Sequence, residues 1–276
     1  MNVVEDLGYN IQKEIHSSSI TIVARAVQYK DQKVIKIVSK NSTELSILQQ
    51  IGGKHHIIQL CQAISINFTA NDNSGQSQEF ILLEFPYIEN RSIETEEELR
   101  KFFYQLVDTM NFLHNQGIFY RDFKRDNILW DGQQLTLIDF NCSMFYKSNA
   151  DYPSKENVGT KGYKAPEVED SNKTSDIRAD IYSIGKLLVY EWVKLQGCAS
   201  ANGIFDTPYE ELLGDLKLIF MAPHDVYSLA ASLIHPDPSK RLSGQNILQQ
   251  SFLRNATKSH VKKLHKPLTD VTNQIV

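Results

Sequence analysis

The sequence predicts an α+β fold in two lobes: a small N-terminal β-sheet lobe with one key helix, then a larger, mainly helical lobe. Three observations point there. Residues 9–38 alternate apolar and polar in short runs rich in β-branched residues, the pattern of half-buried strands. From residue 95 onward long helical stripes take over. Between Phe119 and Asn141 two short apolar runs, Ile128-Leu129-Trp130 and Leu135 to Ile138, flank a turn at Asp131-Gly132, as in a hairpin.

In chain order, Ile20 to Ala24 and Val34 to Val38 read as strands, with Lys30-Asp31-Gln32 turning between them. Asn41-Ser42-Thr43 offers an N-cap, and Glu44 to Ile51 carries a stripe of Leu45, Leu48 and Ile51. Residues 66–78 are polar and irregular and read as a loop between two strands. Phe80 to Glu84 is the next strand. Thr95-Glu96-Glu97-Glu98 opens a core helix striped by Leu99, Phe102, Phe103, Leu106, Met110 and Leu113, and Gly117 ends it. A strongly apolar helix follows from Asp180 to about Val193.

The hairpin carries the chemistry. Asp122, Lys124 and Asn127 precede its first strand and Asp139 follows its second. Antiparallel pairing brings the outer ends together, so these four side chains should converge. Carboxylate and amide oxygens with room for water and phosphate suit Mg²⁺. A further carboxylate beside a metal-bound phosphate can accept a hydroxyl proton.

The run Tyr120-Arg121-Asp122-Phe123-Lys124-Arg125-Asp126-Asn127, then Asp139-Phe140-Asn141, then Ala165-Pro166-Glu167, closely resembles the catalytic loop, metal loop and anchoring segment of the eukaryotic protein kinases. The resemblance covers roughly residues 9–253. It implies a single kinase domain over 1–276, with an N-lobe at about 9–84, a hinge at 85–88, a C-lobe at about 89–253 and a basic tail at 254–276. It implies ATP and Mg²⁺ as cofactors. Asp122 becomes the catalytic base, Lys124 the group neutralising the transferred phosphoryl, and Asn127 and Asp139 the metal ligands. Lys36 contacts the phosphates and pairs with Glu44. Val23, Val34, Glu84 and Leu129 complete the nucleotide site, Leu83 gates its back, and Leu48, Leu60, Tyr120 and Phe140 form an apolar spine.

The sequence departs from the family in four places. The phosphate loop, normally glycine-rich, is His16 to Val23 with no glycine, so it should be stiffer and bulkier. Pro86 falls where the hinge usually offers a backbone N–H to the adenine ring, as in the Pim kinases, and proline has none. Tyr120 replaces a histidine. Asn141 replaces the glycine of the metal triplet, and asparagine tolerates a left-handed φ better than most residues.

Lys124, with Thr160 bonding to it and to Asp122, resembles serine/threonine rather than tyrosine kinases. Glu156 stands where many kinases carry a phosphothreonine, and its carboxylate would pair with Arg121 without modification. Activity should then need no activation-loop phosphorylation. Cys142 reads as an inert small residue. Asp180 resembles the anchor of the catalytic-loop backbone, and Arg241 the partner of Glu167. The glycine-free loop, Glu44 to Gly52, and Leu82 to Tyr87 resemble the monomeric CDK-activating kinase of budding yeasts. That finer likeness implies a cyclin-dependent kinase as protein substrate. Gly159 to Val168 also resembles the kinase that fires replication origins, though the long inserts of that kinase are absent here. A pseudokinase scaffold is the reading from a different class: the glycine-free loop, Tyr120 and Asn141 suit it, whereas the six charged and amide residues of the site do not.

Composition fits this picture. A net charge of −4 gives no reason to expect nucleic-acid binding. Cys61, Cys142 and Cys198 make no metal spacing, and so scattered a set suits a reducing compartment. Met1 to Asp6 lacks the regions of a signal peptide, and no apolar run is long enough to span a bilayer. The expectation is a monomer in the cytoplasm or nucleus, with a protein substrate and neither nucleic acid nor membrane as partner.

Overall fold

The computed structural model describes residues 2–17, 22–28, 31–69, 77–146, 152–153, 158–170, 172–198 and 201–254. Much of the phosphate loop, Lys30 in the first expected turn, Glu156 and the basic tail lie outside these residues.

The N-terminal lobe is a five-stranded antiparallel sheet in the order β1-β2-β3-β5-β4. Its strands are β1 (Asn10–Ser17), β2 (Ile22–Gln28), β3 (Asp31–Ser39), β4 (Gln62–Thr69) and β5 (Ser77–Pro86). Alternation divides its side chains between two faces. Ala24, Ala26, Ile35, Ile37, Ile66 and Leu82 form an outer layer. Val38, Ile81, Leu83 and Phe85 face inward and join the main core. A short helix, α1 (Asn2–Asp6), and Tyr9 cover the outer layer, burying Val4 and Tyr9 there.

Two local expectations are corrected, and Pro86 falls at a strand end. The polar stretch 66–78 is not all loop, because β4 and β5 stay paired out to Thr69 and Ser77. Cross-strand hydrogen bonding overrides the weak strand propensity of Asn67 and Gln78. Asp31 and Gln32, expected in a turn, belong to β3, opposite Gln28 and Val27. Pro86, expected in the hinge, is the last residue of β5 and pairs with Lys33. A proline is tolerated at a strand end, where no ladder N–H is needed.

Helix α2 (Thr43–Ile51) starts because the Ser42 hydroxyl accepts the Glu44 N–H at 3.3 Å. It buries Ile47, Leu48 and Ile51 beneath the sheet. The second lobe is built on α3 (Glu96–Asn115), capped by Thr95 through the Glu98 N–H at 3.2 Å. All six residues of its expected stripe are fully buried. Each stabilises the fold by about 1.5–3 kcal/mol relative to an exposed side chain. Strands β6 (Ile118–Phe119), β7 (Ile128–Trp130), β8 (Leu135–Leu137) and β9 (Met144–Phe145) follow, then a one-turn helix α4 (Pro166–Glu169).

Helix α5 (Arg178–Leu195) runs through the centre of the lobe and α6 (Tyr209–Leu218), α7 (His224–Leu233) and α8 (Gly244–Leu248) complete it. A Cβ on Gly185 would come within 2.6 Å of Leu233 Cβ, so only glycine lets α5 and α7 pack this closely. Among the described residues no helix is long and apolar enough to cross a membrane.

Candidate active site

The β7–β8 hairpin forms in the expected register, Ile128 opposite Leu137 and Trp130 opposite Leu135. The Ile138 N–H donates to the Asn127 carbonyl at 2.9 Å, which ties the two outer ends together. Asp180, at the start of α5, anchors the loop ahead of the hairpin. Its carboxylate accepts the N–H of Arg121 at 2.8 Å and of Tyr120 at 3.1 Å, and its Oδ2 lies 2.9 Å from His114 Nε2. Arg121 takes a left-handed φ of 69°, and the Tyr120 hydroxyl donates to the Ile138 carbonyl at 2.5 Å. The tyrosine thus bonds the catalytic loop to the residue preceding Asp139.

Asp122 is 7% exposed and held from three sides. Its Oδ1 accepts the Thr160 hydroxyl at 2.7 Å, and its Oδ2 accepts Asn127 Nδ2 at 2.9 Å. Lys124 Nζ lies 3.0 Å from that Oδ2 and donates to Thr160 Oγ1 at 2.8 Å. Thr160 can come this close because Gly159 has a φ of +103°, and a Cβ there would sit 2.7 Å from the Arg121 carbonyl. The Glu167–Arg241 pair fixes the segment from behind, with two parallel bonds at 2.6 and 2.8 Å.

On the sheet side, Lys36 is 5% exposed and its ammonium meets Glu44 at 2.7 Å and Asp139 Oδ1 at 2.8 Å. Burial raises the Glu44 carboxyl, with Lys36 pulling against it. At Asp139 burial also pushes upward, but there the Lys36 ammonium prevails and holds the carboxyl below its usual range. The left-handed residue of the metal triplet is Asp139 itself, with φ 60°; Asn141, expected to take that role, does not. The left-handed turn is made two residues earlier, and the Asn141 N–H folds back onto Asp139 Oδ1 at 3.3 Å. The spine residues behave as an apolar block: Leu48, Tyr120 and Phe140 are buried, with the Tyr120 and Phe140 rings 5.2 Å apart in edge contact. Burial raises the Tyr120 hydroxyl well above its usual range, so it stays a donor. Burial likewise raises the Cys142 thiol, which agrees with an inert residue.

The donor set suits a hard cation. Both protons of the Asn127 amide are directed to Asp122, at 3.0 Å to its carbonyl and 2.9 Å to Oδ2, which leaves the amide oxygen for a metal. Asp139 binds Lys36 and Asn141 through Oδ1 alone, leaving Oδ2. No group of three or more His, Cys, Asp or Glu is clustered for metal binding among the described residues. Two protein oxygens plus phosphate and water is the arrangement Mg²⁺ favours.

At the hinge, the Glu84 carbonyl accepts the Cys61 N–H at 2.9 Å, and its second lone pair remains for an adenine amino group. Its side chain does something the sequence did not suggest. It points to the outer face of the sheet, where it accepts from the Tyr9 hydroxyl and sits 3.1 Å from Lys33 Nζ. Val34 lies opposite Phe85 and Val23 opposite Lys36 in the ladder, and Leu129 is the middle residue of β7. Sequence reasoning also missed Thr43, whose hydroxyl donates to the Ser143 carbonyl at 3.1 Å and fastens α2 to the start of the activation segment.

The protein kinase domain family matches residues 10–253, and the chain belongs to it. The chain is 26% identical over 258 residues to the serine/threonine-protein kinase SIK1 of Rattus norvegicus, covering 89% of this chain and 33% of that protein. Identity to SIK2 of Gallus gallus is 26%, over 89% and 32%. Identity to CBL-interacting serine/threonine-protein kinase 20 of Arabidopsis thaliana is 23%, over 91% and 58%. The chain thus spans about a third of the length of the SIK relatives.

Proposed function

We propose that this chain transfers the γ-phosphoryl group of ATP to a serine or threonine hydroxyl of a protein, and that its substrate is the activation-loop threonine of a cyclin-dependent kinase. The carrying observation is the Asp122 carboxylate, held by Thr160, Asn127 and Lys124 within 3.0 Å. A carboxylate so held orients the acceptor hydroxyl and takes its proton as the phosphoryl leaves ATP. Lys124 neutralises charge on the transferred group, and Lys36, fixed by Glu44, holds the phosphates. Asn127 and Asp139 would hold Mg²⁺, which when bound would supply charge neutralisation at the phosphates.

The finer part rests on the likeness of Glu44 to Gly52 and Leu82 to Tyr87 to the monomeric CDK-activating kinases. The same likeness, with the scattered cysteines, supports an enzyme that acts as a monomer, without a cyclin, in the cytoplasm or nucleus. A scaffold has no chemical need for Lys36, Glu44, Asp122, Lys124, Asn127 and Asp139 together. The test offers radiolabelled ATP with three acceptors: an unactivated cyclin-dependent kinase with cyclin, the same kinase without it, and casein. Labelling of one activation-loop threonine with or without cyclin is expected. Labelling of casein alone removes the cyclin-dependent kinase as substrate.

A further inference from the structure

We infer that Asn141, standing where the family carries glycine, is a positioning residue that clasps the Lys36–Glu44 pair to the metal loop. The two ends of its amide are assigned by their neighbours. With Nδ2 toward α2, it donates to Glu44 Oε2 at 2.8 Å, and its Oδ1 accepts from Lys36 Nζ at 3.2 Å. The opposite orientation sets an N–H against an ammonium and a carbonyl against a carboxylate.

The clasp completes a closed set. A lysine ammonium has three donors. Here they meet Glu44, Asp139 Oδ1 and Asn141 Oδ1. Glu44 in turn accepts from Lys36, from the Phe140 N–H at 3.1 Å and from Asn141. With the Thr43 hydroxyl on the Ser143 carbonyl, α2 is tied to the loop at residues 140, 141 and 143. A glycine at 141 has no side chain to make the middle tie. The ion pair is therefore tied to the metal loop by contacts made within the chain.

The longest of the three Lys36 contacts is the one to the amide oxygen, so that is the contact a phosphate oxygen displaces. Asn141 keeps its bond to Glu44 while this happens. The clasp should therefore act on the geometry of the reacting complex more than on nucleotide affinity.

This inference rests on the phosphoryl-transfer reading for its kinetic part, and amide exchange in the nucleotide-free protein tests it apart from activity. Asn141→Gly keeps a backbone free to follow the native turn, and Asn141→Asp keeps the shape while replacing the donor with a charge that opposes Glu44. In Asn141→Gly, exchange at the Phe140 amide should quicken by about tenfold, as expected for loss of a bond to a charged group. The kcat should fall by about tenfold or more, with KM for ATP within about twofold. Asn141→Asp should lose more kcat than Asn141→Gly. Unchanged Phe140 exchange in Asn141→Gly overturns the clasp whether or not the protein turns over ATP. So does a loss confined to KM, or an Asn141→Asp variant as active as the wild type.

Discussion

Replacing Thr160 with valine removes one hydroxyl and little else. That hydroxyl donates to Asp122 Oδ1 at 2.7 Å and accepts from Lys124 Nζ at 2.8 Å, so it sits between the base and the cation beside it. Asp122 would keep Asn127 on Oδ2 but lose the Thr160 bond on Oδ1, and its carboxylate plane would be freer to turn. A hydrogen bond to a charged group contributes about 1.5–3 kcal/mol, which is roughly a 10- to 150-fold change in rate when it orients the reacting carboxylate. The expected result is a fall of that size in kcat for Thr160→Val, with KM for ATP little altered because Lys36 and the hinge are untouched. Thr160→Ser, which keeps the hydroxyl, should recover most of the loss. Steady-state kinetics with a protein acceptor measure both. A Thr160→Val enzyme within about twofold of wild type would refute the claim that this bond orients the base.

Two further outcomes are expected. Pro86→Ala gives the hinge a backbone N–H that proline lacks, and should tighten ATP binding by about 2- to 12-fold, the worth of one neutral hydrogen bond; calorimetry showing no tightening would mean that residue 86 does not face the nucleotide. Lys186 is buried in α5, donates to the Ile204 carbonyl at 2.9 Å, and is pushed down to about 8 by that burial. Its folded value lies below the unfolded one, so the unfolded chain binds the extra proton between pH 8 and about 10.4, and this group makes stability rise with pH across that window. Urea unfolding at several pH values should show that rise in the wild type, and Lys186→Met should lack it.

The sequence made the site legible because its chemistry is local. Asp122 to Asp139 spans one hairpin, and turn residues at Asp131-Gly132 were enough to fix how its ends meet. The partners of Lys36 and Asp180 lie on other elements, Glu44 on the following helix and Asp139 and the catalytic loop far along the chain, and they were reached only through resemblance to a family; composition and spacing gave no route from Lys36 to Glu44. Contacts that the family pattern does not include stayed hidden. The Tyr9 hydroxyl on Glu84 joins residues 75 apart, across a face of the sheet whose cover, α1, carries no strong helical pattern in its five residues. Asn141 was read by its backbone tolerance alone. Its φ is not left-handed, and its side chain, rather than its backbone, is what distinguishes it from glycine. The strand ends at Thr69 and Ser77 were missed for a related reason: polar residues pair as edges of a hairpin when the ladder extends, and local propensity does not report that.

Phosphoryl transfer itself is the central claim, and the direct measurement is Mg²⁺-dependent transfer from radiolabelled ATP by the wild-type chain beside Asp122→Asn. The substitution keeps the shape of the side chain and removes the carboxylate that accepts the hydroxyl proton. Transfer that requires Mg²⁺ and disappears in Asp122→Asn is the predicted result. Transfer at the same rate in both proteins, or none above the variant at millimolar ATP, would contradict it.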